Sequence, residues 1–259
     1  MRSKISVFLI VGFVVSLCVL ATLAKAEEQK AQLFVVDEHV VKPPMADEFE
    51  AVAKEWVAIL TKHKFPYPCY TYWTSDFHYH FIWPYKNYAD LDNWEKAIDE
   101  LAEKVGEPWQ ALIKRANVTH EFVYSHMWNH MPELSYTPES PRLKPEEGNF
   151  VFWDIYYVQS GKTKEFDEIL KKMLTLCKSK NIEEGLDAYS GDIGTETPVR
   201  LFVGRAKDAA DFYIHNTKTW EILGEEGRTL LKKAVTFIRK RDVKNGWFLP
   251  DLSYIPKEK

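Results

Sequence analysis

The chain has 259 residues, with 34 Lys and Arg against 38 Asp and Glu, a formal charge of −4 and 14% aromatic residues. An acidic balance argues against nucleic acid as a partner, because that role needs clustered basic side chains to displace phosphate counterions. Nine Trp and thirteen Tyr instead lead one to expect an aromatic lining somewhere in the fold.

The first 26 residues read as a cleavable signal peptide. Arg2 and Lys4 precede an apolar run from Ile5 to Leu23, and Ala24-Lys25-Ala26 gives the small-x-small cleavage pattern before the polar Glu27-Glu28-Gln29. Cleavage after Ala26 implies a periplasmic or secreted protein. The alternative, an uncleaved anchor, falls near the lower length limit for crossing a bilayer. No second long apolar segment follows, so no membrane span is expected in the mature chain. Cys69 and Cys177 then remain, too few for a disulfide framework, and are expected as free buried thiols.

Residues 31–136 form a first unit. Val-rich Leu33–Val41 reads as a strand, and Phe49, Val52, Ala53, Trp56, Val57 and Leu60 mark one face of a helix over 46–63. Aromatic runs at 67–73 and 77–83 flank Thr74-Ser75-Asp76 as a hairpin. Residues 91–115 are helical with a break at Gly106-Glu107-Pro108, and 120–128 form a last strand. After a Pro-rich, charged linker (137–149), a second unit at 150–256 has the same order: strand 150–158, helix 162–179, hairpin strands 185–190 and 198–203, helix 206–233, strand 236–243. Each is a β-α-β-β-α-β, ferredoxin-like unit.

The units also share sequence. Pro132-Glu133-Leu134-Ser135-Tyr136 returns 118 residues later as Pro250-Asp251-Leu252-Ser253-Tyr254, and Phe34–Asp37 lies over Val151–Asp154 at an offset of 117. This duplicated order resembles the dimeric α+β barrel superfamily in its tandem, single-chain form. The resemblance implies an α+β fold in which two antiparallel sheets close on each other as an intrachain barrel. That group includes antibiotic-biosynthesis-type monooxygenases, haem-degrading enzymes, muconolactone-isomerase-like proteins and non-catalytic binding families. No motif of one member is present, so no catalytic residue carries over.

Strand alternation selects the candidate residues. His78 and His80 face away from the aromatic set Phe77, Tyr79, Phe81 and Trp83, and so point into the barrel. His126, Tyr124 and Trp128 share a side of the last strand, with His120 and His130. Asp37 and His39 share a side of the first strand, as Tyr70 and Tyr72 do of the second. The repeat serves as a control: His78, His80, His126 and His39 meet Val199, Leu201, Lys244 and Tyr156, whereas Asp37 meets Asp154. The histidines are therefore candidates for a site specific to the first half. His78, His80 and His126 are the catalytic candidates; Asp37, His39, Tyr70, Tyr72, Tyr124 and Trp128 are the substrate-binding ones.

Four readings of the histidines stay open: proton transfer oriented by Asp37, ligation of zinc, iron or copper, ligation of haem, or hydrogen-bonded filling of a barrel interior. The residues name no cofactor. The expected partner is a small apolar or aromatic molecule, bound by a monomer or homodimer. The expected function is a cofactor-independent monooxygenase or isomerase. The alternatives are a binding or sensing module, or a metal- or haem-binding protein.

Overall fold

The structure is a computed structural model and describes residues 33–256; the expected signal peptide lies outside them. The first half runs β1 (Leu33–Val41), α1 (Ala46–His63), β2 (Tyr70–Thr74), β3 (His78–Tyr85), α2 (Ala89–Val105), α3 (Glu107–Thr119) and β4 (His120–His130). The second runs β5 (Phe150–Val158), α4 (Thr163–Ser179), β6 (Asp187–Gly191), β7 (Val199–Ala206), α5 (Ala209–Val235) and β8 (Ile238–Phe248). All eight strands pair antiparallel in one closed barrel, in the order β1-β3-β2-β8-β5-β7-β6-β4. Each half supplies a four-stranded sheet, and the β2–β8 and β4–β6 seams join them. None of the described helices is long and apolar enough to cross a membrane.

The repeated Pro-Glu/Asp-Leu-Ser-Tyr segments lock those seams, and each copy docks on the other half. Leu134 is buried with Phe166, Ile169 and Ala234 of the second half, while Leu252 is buried with Leu60, Phe65 and Cys69 of the first. Tyr136 forms a bridge with Leu186, and its hydroxyl donates to Ile182 O at 2.8 Å. Tyr254 bridges Cys69 and donates to Phe65 O at 2.7 Å. Ser135 Oγ accepts from Ala188 N, and Ser253 Oγ from Thr71 N, both at 2.9 Å. The motif recurs because both halves need the same latch.

Several boundaries differ from the sequence reading. Phe77 has φ 63° and belongs to the β2–β3 turn, so β3 begins at His78. Helix α5 contains a break at Gly224 (φ 62°, ψ −149°), the counterpart of Gly106 (φ 69°, ψ −133°). β8 continues past Val243 to Phe248, and its last three residues make the seam with β2. Gly246 allows this: a Cβ there would stand 3.1 Å from Trp73 O. Cys69 and Cys177 are free thiols, the first buried and the second half-buried.

A polar cluster inside the barrel and a second cavity under the helices

The barrel encloses a cavity of about 1080 Å³. Tyr70, Tyr72, Ile82, Trp128, Trp153, Ile155 and Leu201 form its walls, with His80, His126, Glu38 and Lys244 converging inside. Linker residues Pro145 and Asn149 and the C-terminal Ile255 line its outer end, where Arg205 Nη1 donates to Tyr72 Oη at 3.0 Å.

Glu38 is the centre of the polar group, and its side chain is only 13% exposed. Its Oε1 accepts from His78 Nδ1 at 2.5 Å and from Lys244 Nζ at 2.7 Å; its Oε2 lies 3.5 Å from His126 Nε2. Burial works against the charge on Glu38, but the His126 contact and the Lys244 ammonium outweigh it and hold the carboxyl far below the usual range. Trp128 Nε1 donates to His126 Nδ1 at 2.7 Å. An indole N–H can only donate, so Nδ1 must accept, which leaves the proton of a neutral His126 on Nε2, facing Glu38. His80 is 3% exposed, packs edge-on to Trp153 at 4.6 Å and lies 3.4 Å from Thr74 Oγ1. Burial lowers its pKa to about 3, so it is neutral across the physiological range.

The structure thus gathers His78, His80 and His126 around one carboxylate, with Tyr70, Tyr72 and Trp128 on the cavity wall. His78 reaches Glu38 without lining the cavity. Tyr124 stands directly across from Glu38 in the ladder but is 56% exposed, beyond the cavity.

Asp37 and His39 are not part of this group. Their side of β1 faces the helices, where Asp37 accepts from Ser125 Oγ at 2.5 Å and burial raises its pKa. His39 packs among Phe49, Phe81 and His120, with its pKa lowered to about 4 by burial and by His120. A bulge opposite Val40 and Val41 turns His120 to that side as well. His130 lies elsewhere, against Tyr189 and Ser135.

Sequence reasoning missed Glu38 and Lys244, although the repeat held a usable signal. Glu38 meets Ile155 at the offset of 117 and Lys244 meets His126 at 118. Both are mismatches of the kind that selected the histidines. Asp37 was selected with His39 by strand side, although its match to Asp154 already marked scaffold; that match reflects a shared place under the helices, where Asp154 is held by Arg241 and Tyr156. Nor is the site confined to the first half, since Lys244 and Trp153 come from the second.

The polar group is not arranged as a metal site. The lysine ammonium and both imidazoles point at the carboxylate rather than at a common centre. Among the described residues no group of three His, Cys, Asp or Glu side chains is placed to hold a metal ion.

A second cavity, of about 390 Å³, lies between α4, α5 and the outer face of the second-half sheet. Its walls include Phe152, Phe166, Met173, Phe202, Trp220 and Leu223. On its rim, linker Arg142 makes two 2.9 Å bonds to Asp211, and His215 lies 3.3 Å from Glu184. The corresponding space of the first half is filled by Trp56, Trp83 and Trp94, stacked edge to face at 5.5 and 5.2 Å. The β3/β7 register sets Trp83 over Gly204, and the offset of 117 sets Trp56 over Met173. The matching Lys86–Asp90 and Lys207–Asp211 contacts set Trp94 over His215. The second half is hollow because three indoles are missing.

The fold is an α+β barrel closed by two ferredoxin-like halves of one chain, the fold of the solved structures it resembles. No family model and no curated protein matches the sequence. Among solved structures, the chain is similar to a candidate monooxygenase from Fusobacterium nucleatum subsp. nucleatum (TM-score 0.57, 11% identity, 85% of this chain and 94% of that one). It is also similar to an anthrone oxidase-like protein (0.56, 9%, 84% and 91%). A third is the chlorite dismutase of Candidatus Nitrospira defluvii in complex with imidazole (0.52, 9%, 85% and 92%). At such identities the likeness is one of fold.

Proposed function

We propose that this protein is exported, binds a small apolar or aromatic molecule inside the barrel, and uses His126 to move a proton on it, in a monooxygenase- or isomerase-like reaction. The observation that carries the reading is the Trp128–His126–Glu38 arrangement at the inner end of an apolar cavity. Such pockets combine apolar walls with a few convergent polar groups. The indole fixes the tautomer of His126 and occupies its basic Nδ1, so His126 takes a proton from the ligand only when the ligand displaces the Trp128 N–H from Nδ1; Glu38, facing Nε2–H, then stabilises the imidazolium. His80, neutral and buried, serves as a hydrogen-bonding wall. Structural neighbours named as monooxygenase or oxidase proteins support the reaction class by analogy of fold only.

The hollow second half favours a second location for the ligand, under α4 and α5. One experiment separates the two. The ligand retained through purification is identified by mass spectrometry and titrated against Leu201→Trp, which fills the barrel cavity, and Gly204→Trp, which fills the outer one. Loss of binding in Leu201→Trp alone supports the barrel site, and His126→Ala should then abolish turnover while binding persists. Loss in Gly204→Trp alone moves the site outward. Unchanged turnover in His126→Ala leaves a binding module. Stoichiometric metal or a Soret band in the purified protein would replace proton transfer by metal or haem chemistry.

A further inference from the structure

The polar groups of the barrel cavity are not all at its inner end. Arg205 stands partly exposed at the mouth, and its guanidinium has donors to spare. One N–H goes to Tyr72 Oη at 3.0 Å. The carboxylate paired with it among the described residues, that of Asp187, lies 3.8 Å from Nη2, outside hydrogen-bond reach. Glu146 also borders this end, but it is exposed to solvent and forms no ion pair with Arg205. Because Tyr72 Oη accepts the Arg205 bond, its own hydrogen is free to point into the cavity. The mouth therefore offers donors from two side chains without a matching acceptor. The linker holds the arrangement in place. A Cβ on Gly148 would stand 3.2 Å from Arg205 Cβ, so the chain packs directly on the base of that side chain.

The repeat marks Arg205 as particular to a site. Phe202 lies over Phe81 at an offset of 121, which sets Arg205 over Pro84. Pro84 also borders the cavity, so the same place is apolar in one half and cationic in the other. Tyr72, by contrast, has an equivalent. It pairs with His80 as Tyr189 pairs with Leu201, at matching positions of the two halves. A tyrosine in both halves suits the wall, and an arginine in one suits a ligand.

We infer that the barrel ligand is a small carboxylic acid, its carboxylate held at the mouth by Arg205 and Tyr72 and its apolar or aromatic body reaching inward to His126. This rests on the barrel site proposed above and names its ligand class. The planar guanidinium fork matches a carboxylate in two parallel bonds, and the tyrosine hydroxyl adds a third. Lys244, another cation in the cavity, is already bonded to Glu38 at 2.7 Å, so the carboxylate goes to the mouth. The ladder sets the length of the body. Tyr72 pairs with His80 and His80 with Glu38, which puts Tyr72 and the inner carboxylate two strands apart, about 10 Å. A ring with a short side chain spans that distance. Trp153, Val203 and Phe248, packed with Tyr72, supply apolar surface for it.

Calorimetric titration with phenylpropionate and octanoate, each beside its primary amide, is the test. At least one acid should bind about 10-fold more tightly than its amide. Arg205→Met should erase that preference and leave the affinity for the amide unchanged. Arg205→Lys, which keeps the charge but loses the fork, should restore part of it. Leu201→Trp, which fills the barrel, separates the ligand class from the site itself, and there both acid and amide should lose binding. Acid and amide bound equally by the intact chain, and both lost in Leu201→Trp, would leave the barrel site standing and overturn the carboxylate. Acid binding that persists in Leu201→Trp would overturn both, because Arg205 also borders the outer cavity and would then serve it. A preference that survives Arg205→Met, or no binding of either acid, overturns the proposal as well.

Discussion

At the scale of single residues, the chemistry rests on a charge that burial opposes and neighbours hold. Glu38 is ionised because Lys244 and two imidazoles surround it, so removing the carboxylate strands the ammonium in a low-dielectric interior. Glu38→Gln should cost about 2–3 kcal/mol, somewhat below the range for a fully buried pair since Lys244 is partly exposed. The double variant with Lys244→Met should recover part of that loss; urea unfolding of the four proteins gives the coupling directly. The buried histidines predict a pH dependence whose sign is fixed. His80 titrates near 3 and His39 near 4 in the folded chain, against about 6.5 when unfolded. As pH falls below about 6.5 the unfolded chain binds protons that the folded one excludes, so stability is full above that pH and is lost toward 3. Each histidine adds up to about 1.4 kcal/mol per pH unit. Glu38, with its depressed value, adds loss of the same sign from about 4.5 downward. Urea midpoints measured from pH 8 to 4 should show the decline, shallower in His80→Leu. Residue identity alone showed which groups were unusual, but not which carboxylate they met. Asp37 and Glu38 are adjacent, and one position of alternation decides between the helix layer and the barrel.

At the scale of elements, the order β-α-β-β-α-β was legible because helical and strand periods are strong in both copies. The closure was less so. The last strand was read as ending at 243, three residues short of Gly246, where two backbones come close. The bulge opposite Val40 and Val41 breaks the alternation that assigned His120 to the barrel, and nothing in the residue types marks it. Gly224 was hidden inside a helical pattern, yet its counterpart Gly106 had been recognised as a break. At both sites a Cβ would meet nothing within 4 Å, so any penalty for alanine is purely conformational. With φ 62° and ψ −149°, Gly224 lies in a region that other residues avoid, and Gly224→Ala should cost about 1–3 kcal/mol. The latch gives a second element-scale expectation. Leu252→Ala, in the first-half core, should cost about 2–5 kcal/mol, and Tyr254→Phe about 1 kcal/mol through the bond to Phe65. Thermal denaturation should rank the two in that order.

At the scale of the whole molecule, the latches make each half incomplete in a reciprocal way. The segment 132–136 belongs to the first half by sequence but completes the core of the second; 250–254 does the converse. A separately produced fragment 33–136 therefore carries a latch without its partner and a socket without its latch. Both requirements are met at once if two such fragments associate, since the socket at Phe65–Thr71 accepts Leu-Ser-Tyr from either source. The fragment should accordingly fold as a homodimer, with its stability rising with concentration. Mixed with fragment 150–256, it should exchange into a one-to-one complex. That complex restores the Glu38–Lys244 pair, whereas the homodimer brings His126 of the second fragment to the place of Lys244. The preference for the mixed complex should therefore weaken in Lys244→Met. Native mass spectrometry of equimolar mixtures reads the populations directly. A fragment 33–136 that is a stably folded monomer would mean the latches are accessory, and that duplication alone, without exchange of ends, holds the barrel closed.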